Sequence, residues 1–206
     1  MKTYIIIILT LIFSLMADEM SNDAIKSCYS ESYKFEKAQN YTEAIRAMMD
    51  VYNSYPNTYT VNYRLGWLFY LNGNYANAKK HLNASLLVNP SSVEVMNTIA
   101  LVYAAQEEWL ALEELTLQVM KIDYYNHYAN YWNVYSLKMQ KKYDLGEKAA
   151  RKMLAIVPAS ITFLSELGEI MYFSEKYEDS YSLFNSVIIL DPYNQAAKYY
   201  LNLLKK

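Results

Sequence analysis

The chain has 206 residues, of which 53% are hydrophobic and 19% charged, a composition that excludes an intrinsically disordered protein. Glycine and proline number only four each, which argues against turn-rich β-sandwiches and barrels and favours helices. The formal net charge is −2, so the chain lacks the excess of basic residues typical of nucleic-acid-binding proteins.

The N-terminal segment, residues 1–17, has the pattern of a secretory signal peptide. Lys2 is the only charged residue before Asp18, and residues 4–16 are largely apolar. That run is shorter than the about 20 residues that a membrane-spanning helix needs. Cleavage after Ala17 would leave a mature protein in the periplasm or outside the cell. If the segment is not cleaved, residues 4–16 would anchor the chain to a membrane.

An internal period of about 34 residues runs through the rest of the chain, within the range typical of repeat architectures. The four prolines follow this period, since the second lies one period after the first, the third two periods later and the fourth one period after that: Pro56, Pro90, Pro158 and Pro192. Large aromatic residues follow the same period in a second series: Tyr41, Tyr75, Trp109, Tyr143 and Tyr177. Two independent series with one period indicate an internal repeat.

This period and its signature residues resemble the tetratricopeptide repeat, a helix–turn–helix unit that stacks on its neighbours. The second unit carries the strongest resemblance, with small residues where helices would cross and a terminal proline: Leu65, Gly66, Phe69, Ala78, Leu82 and Pro90. Two units depart from the pattern. The third has Thr116 where phenylalanine is usual, and the fourth has Asn133 and Gly146 where leucine and alanine are usual.

The resemblance implies an all-α fold, a right-handed α-solenoid of five tetratricopeptide helix–turn–helix repeats plus a C-terminal capping helix. After a short N-terminal lead at residues 18–24, the five units would occupy residues 25–58, 59–92, 93–126, 127–160 and 161–194. Residues 195–206 combine an apolar stripe with three lysines. A helix of this kind can cover the last apolar face of a solenoid and still meet water.

In this family the first helices of the repeats line a concave surface that binds partners, and the resemblance places a groove on this chain. Its inward positions carry aromatic residues and one arginine: Tyr29, Tyr33, Tyr63, Arg64, Trp67, Tyr70, Tyr131, Trp132, Tyr135 and Tyr172. One arginine opposed by Glu94 does not make the carboxylate clamp of some family members. Rings with hydroxyl groups suit an extended peptide or a partner's helix, although ordinary packing between helices would also use them.

Within this groove we expect Trp67 to be partly exposed, on one helix face with Tyr63 and Tyr70. The two histidines, His81 and His127, lie in different units without metal-ligand spacing, and both are expected on the surface. Cys28 is expected to be a small buried hydrophobe.

The resulting hypothesis is an exported, non-enzymatic scaffold that binds a protein or peptide partner along the groove. No cofactor, metal or nucleic acid is expected, and the only expected membrane contact is through an uncleaved signal segment. The alternative left open is a polysaccharide- or peptidoglycan-binding module of the cell envelope, which would stack the same rings on sugars.

Export can be tested directly on the protein from its native host. If residues 1–17 are a cleaved signal peptide, mass spectrometry of the N-terminal peptide should show a mature chain that begins at or near Asp18. A soluble cytoplasmic protein that retains Met1 would contradict both the signal peptide and the predicted compartment.

Overall fold

The computed structural model describes residues 20–205, which form eleven α-helices and no β-strand. In chain order they are α1 Asn22–Lys37, α2 Tyr41–Ser54, α3 Tyr59–Leu71, α4 Tyr75–Val88, α5 Val93–Ala105, α6 Trp109–Ile122, α7 His127–Met139, α8 Tyr143–Leu154, α9 Ile161–Phe173, α10 Tyr177–Leu190 and α11 Gln195–Leu204. None of these described helices is both long and apolar enough to cross a membrane.

The all-α solenoid of helical repeats expected from the sequence is confirmed. The aromatic series marks helix starts, because its five members are the first residues of α2, α4, α6, α8 and α10. The helices α3, α5, α7, α9 and α11 each begin one period after the last, at residues 59, 93, 127, 161 and 195. The predicted signal segment, residues 1–17, lies outside the described residues.

The described part of the chain divides into two compact units, the first ending at Val95 and the second beginning at Met96. The core of the first unit lies between α1, α2 and α3 and is built on Ala44, Met48, Val61 and Leu65, all at most 1% exposed. One core of the second unit contains Val134 from α7 and Phe163 from α9. In a further core of this unit, the ring of Tyr200 in α11 stacks on Phe184 with 4.8 Å between centroids.

In the second and fifth repeats, the two helices cross where the first of them has no side chain. A Cβ atom built on Gly66 in α3 would lie 2.6 Å from Leu82 Cγ in α4. A Cβ atom on Gly168 in α9 would lie 2.9 Å from the Phe184 ring in α10. Leu65, Ala78 and Leu82, which carry the family resemblance in the second repeat, are all completely buried. In these two repeats glycine therefore sets the approach of the paired helices.

The turn within each repeat contains one residue in the left-handed conformation. These residues have φ between 56° and 72° and recur once in every period: Gln39, Gly73, Glu107, Lys141 and Glu175. A left-handed residue just after a helix is a common way to end it, and glycine is favoured there. In this chain glycine occupies only the second of the five positions.

The surface location predicted for His81 is wrong. The side chain of His81 is only 6% exposed, and its Nδ1 atom lies 2.9 Å from Asn62 Oδ1. Burial lowers the pKa of His81, and the nearby Lys80 lowers it further. His127 is exposed, as expected from the sequence. Cys28, which was expected to be buried, is half-buried and packs against the first core.

The crossing in the second repeat gives a prediction about stability. Gly66→Ala should lower the free energy of unfolding by about 1–2 kcal/mol net, because the added Cβ overlaps the completely buried Leu82. This cost outweighs the gain of about 1 kcal/mol in helix propensity. Urea denaturation would measure the difference. Asn83→Ala on the exposed side of α4 is the control and should stay within about 0.5 kcal/mol of the parent.

Candidate functional site

A cleft of about 480 Å³ opens in the first unit, and we call it the aromatic cleft. Helix α1 contributes one set of side chains and helix α3 another, with one residue from the start of α5. The lining residues are Tyr29, Tyr33, Glu36, Tyr59, Thr60, Tyr63, Arg64, Trp67 and Glu94. Five of the nine are aromatic, so the cleft offers ring faces together with phenol groups.

Arg64 holds one wall of the aromatic cleft in place. Its Nε and Nη2 atoms donate to Ser32 Oγ at 3.2 and 2.9 Å, and its Nη1 atom donates to Glu36. The guanidinium carbon lies 3.8 Å from the centroid of the Tyr33 ring. Arg64 is only 5% exposed, and its buried charge is neutralised by the ion pair with Glu36. Arg64 thus joins α3 to α1 and covers one face of the Tyr33 ring.

Trp67 shares the same carboxylate. The indole Nε1 atom donates to Glu36 Oε1 at 2.7 Å, and the ring lies 5.6 Å from that of Tyr70. Trp67 is partly exposed, as predicted, and its ring lines the aromatic cleft. The bond to Glu36 restricts the orientation of the indole in the aromatic cleft.

Tyr59 forms the other end of the aromatic cleft. Its hydroxyl lies 2.8 Å from Ser92 Oγ and donates to Glu94 Oε2 at 3.1 Å. Its ring stacks on that of Tyr63 with 6.1 Å between centroids. Burial raises the pKa of Tyr59, so the phenol remains protonated in neutral solution.

The structure distributes the ten predicted groove residues over both units. Five of them line the aromatic cleft: Tyr29, Tyr33, Tyr63, Arg64 and Trp67. Tyr70 lies outside it and contacts Trp67 and Tyr75. The other four are in the second unit, where Tyr131, Trp132 and Tyr135 contact one another and Tyr172 contacts Tyr200. Sequence reasoning missed Glu36, Tyr59 and Thr60, because their role depends on which side chains of neighbouring helices meet.

A second group of charged residues lies among the predicted rings of the second unit. Lys138 Nζ is 2.8 Å from Glu166 Oε2 and 2.5 Å from Glu169 Oε2, and it lies 4.7 Å from the centroid of the Tyr135 ring. Lys138 is on α7 and both glutamates are on α9, so these ion pairs join two neighbouring first helices. The two carboxylates bring one more negative charge than Lys138 neutralises.

The pKa values in this group follow from its burial. Burial raises the pKa of Glu166, and Lys138 opposes that rise. Burial acts to lower the pKa of Lys138, but Glu166 and Glu169 outweigh it and raise that pKa. Burial and the charge of Glu166 also raise the pKa of Tyr131 to about 12. Lys138 therefore stays charged and Tyr131 stays neutral at any physiological pH.

Neither set of rings holds a metal-binding arrangement. In the part of the chain that the structure describes, no group of three or more histidine, cysteine, aspartate or glutamate side chains is placed to bind a metal ion.

The comparisons with known proteins confirm the resemblance drawn from the sequence. Residues 61–92 match the family model of the tetratricopeptide repeat. The structure of MamA from Desulfovibrio magneticus RS-1, from residue 41 to its end, superposes with a TM-score of 0.75 and 16% identity, covering 85% of this chain and 99% of that chain. YrrB, described as a TPR protein with an unusual peptide-binding site, gives a TM-score of 0.71 and 12% identity, covering 89% of this chain and 92% of that one.

A further MamA crystal structure gives a TM-score of 0.72 with 17% identity over 87% of this chain and 97% of the other. Identities this low establish the shared fold alone. No curated protein has a sequence that matches this chain significantly.

The bond between Trp67 and Glu36 gives a prediction about the aromatic cleft. Trp67→Phe keeps an aromatic ring but removes the indole N–H, and it should lower the free energy of unfolding by about 1.5 kcal/mol. We expect the low end of the range for bonds to charged groups, because Glu36 is 22% exposed and keeps its contact with Arg64. Chemical denaturation would show a lower midpoint.

The neighbouring Tyr70→Phe is the matched control for Trp67→Phe. It removes a polar group from the same helix and should stay within about 0.5 kcal/mol of the parent protein. If Trp67→Phe were equally neutral, Trp67 would not be fixed by Glu36 in solution.

Proposed function

We propose that this chain, whose residues 61–92 are a tetratricopeptide repeat, is a non-enzymatic scaffold that binds an extended segment of a partner protein in the aromatic cleft. The observation that carries the proposal is the set of five rings around one cleft in the first unit: Tyr29, Tyr33, Tyr59, Tyr63 and Trp67. Aromatic side chains of this kind dominate the energetics of protein interfaces.

The size of the aromatic cleft favours a short segment. Its volume of about 480 Å³ lies in the range of sites that enclose a small ligand, so it accepts a few side chains of a peptide. Phenol groups on the walls can exchange hydrogen bonds with an extended main chain, while the ring faces receive its side chains. The fold is shared with YrrB, which is described as having a peptide-binding site, and this supports the same assignment.

The rings are held before binding, which favours affinity. Arg64 is bonded to Ser32 and Glu36, and Trp67 is bonded to the same glutamate. A partner would therefore meet side chains whose conformations are already restricted, and less entropy would be lost on binding. Arg64 itself contributes to binding mainly through the Tyr33 ring that it supports, since its own donors face inward.

The proposal includes export, which rests on the sequence of residues 1–17. A cleaved signal peptide would put the aromatic cleft in the periplasm or outside the cell, and the partner would be in the same compartment. A glycan of the cell envelope is the alternative ligand. The geometry of Tyr33 favours a glycan, because an exposed ring with one free face can stack on a sugar. Arg64 covers one side of the Tyr33 ring, and the residue remains 57% exposed.

Photo-crosslinking in the native host would test this function. The crosslinking amino acid p-benzoylphenylalanine replaces Tyr63, which lines the aromatic cleft, and in a matched control replaces Tyr193, which is 81% exposed in the second unit. The expected result is a discrete crosslinked protein from position 63 that is absent from position 193. The crosslinked peptide, identified by mass spectrometry, should be a short segment of the partner.

Two outcomes would overturn the peptide assignment. One is the same set of products from positions 63 and 193, because contact would then be nonspecific. The other is the absence of a crosslinked protein together with binding on a glycan array that Tyr63→Ala abolishes. That result would make the aromatic cleft a sugar site.

A further inference from the structure

A groove of about 650 Å³ in the second unit is lined by α6, α7 and α8, and we call it the lysine groove. Its apolar surface comes from Leu117 and Met120 on α6, Leu145 and Ala149 on α8, and Leu137 on α7. Leu117 and Leu145 are 47% and 54% exposed, so large apolar side chains stand on both walls. This site shares no residue with the aromatic cleft and does not depend on its function.

The groove lies where two repeats depart from the usual pattern. Elsewhere, the residue at the middle of a second helix meets an apolar residue of the following repeat, as Met48 and Leu65 do in one buried core. The corresponding residues here are Thr116 and Asn133, and Asn133 Nδ2 donates to Thr116 Oγ1 at 3.1 Å. Asn133 lines the groove. Both side chains are buried, with Thr116 1% and Asn133 6% exposed, so this polar pair lies beneath the groove.

Three lysines stand on the walls of the lysine groove: Lys121 on α6, and Lys148 and Lys152 one turn apart on α8. None of the three forms an ion pair within residues 20–205. The one carboxylate in the lining, that of Glu113, is already bound by Lys142 at 2.8 Å and by Gln140 at 2.8 Å. The groove thus has an excess of positive charge beside its apolar surface.

Lys152 is the most constrained of these lysines. Its Nζ atom donates to Asn130 Oδ1, lies 3.7 Å from Met120 Sδ and lies 4.3 Å from the centroid of the Tyr124 ring. Burial lowers the pKa of Lys152, and no nearby carboxylate offsets this effect. A carboxylate brought by a partner would supply the missing counter-charge.

We infer that the lysine groove binds an acidic amphipathic helix of a partner protein, with its apolar side chains between Leu117 and Leu145 and its carboxylates on the three lysines. The α6 wall runs from Glu113 to Lys121, about 12 Å along the helix, which matches two turns of a bound helix. An amphipathic helix carries charge along both edges of its apolar stripe, and the lysines stand on both walls. An anionic lipid carries its charge at one end only, which fits this arrangement less well.

Selection from a peptide library would test the inference. Random peptides of about 14 residues, or four helical turns, are displayed on phage and selected on the immobilised full chain. The selected sequences should combine aspartate or glutamate with apolar residues at helical spacing. In fluorescence anisotropy, the double variant Lys121→Glu/Lys148→Glu should weaken binding of these peptides by at least about tenfold, because like charges would then face each other. Added salt should also weaken it.

The control for charge reversal is Lys80→Glu, an exposed lysine of α4 in the first unit, which should leave the affinity unchanged. Circular dichroism of each variant shows whether it is still folded, so that a loss of binding can be told from a loss of structure. Leu145→Gln is a second variant, which changes only the apolar surface of the groove. Vesicles of phosphatidylglycerol serve as the lipid probe.

Three outcomes would overturn the inference. The library could give no enriched peptide, or peptides without acidic residues. The enriched peptides could bind the double variant and Leu145→Gln as tightly as the parent. Finally, phosphatidylglycerol vesicles could bind in a way that depends on Lys121 and Lys148 while the peptides do not, which would make the groove a lipid site.

Discussion

The close crossing of the two helices within a repeat is the contact on which the other features of this structure depend. Gly66 faces Leu82, and Gly168 faces Phe184, so that one helix gives up its side chain where the other inserts a large one. This contact fixes the distance between the helices and the rotation of the first helix about its axis. In these two repeats the first helix therefore presents the same positions to the neighbouring repeats.

A recurring contact between repeats follows from this geometry, and its charge is reversed between the two units. In the first unit Glu36 meets Arg64, and in the second Lys138 meets Glu166, with the same separation along the sequence in both pairs. A tyrosine ring lies against the cation each time, at 3.8 Å from Arg64 and 4.7 Å from Lys138. The first pair is balanced in charge, and the second has Glu169 in addition. Residues at these positions join helices, so Arg64 supports the aromatic cleft more than it reaches into it.

The period of the sequence was sufficient to predict the helices, because the aromatic and proline series reflect packing that every repeat must satisfy. The left-handed turn residues escaped notice, since four of the five are not glycine and carry no signal of their own: Gln39, Glu107, Lys141 and Glu175. The burial of His81 was also missed. It depends on an oxygen of Asn62, on the facing helix, and such pairs arise only once the chain has folded. For the candidate site, the sequence of the first helices predicted the aromatic rings. It did not predict that Glu36 would bind both Arg64 and Trp67.

The two candidate surfaces illustrate why a repeat pattern predicts a fold better than a function. Positions that agree between repeats are occupied by packing residues such as Leu65 and Phe184, which are completely buried and therefore out of a partner's reach. What a partner can contact must come from positions where the repeats differ. The aromatic cleft uses the rings particular to the first two repeats, and the lysine groove uses Lys121, Lys148 and Lys152 of the third and fourth. Thr116 and Asn133, which weaken the family resemblance of the third and fourth repeats, are themselves buried, so the side chains most informative about binding are the exposed ones beside them.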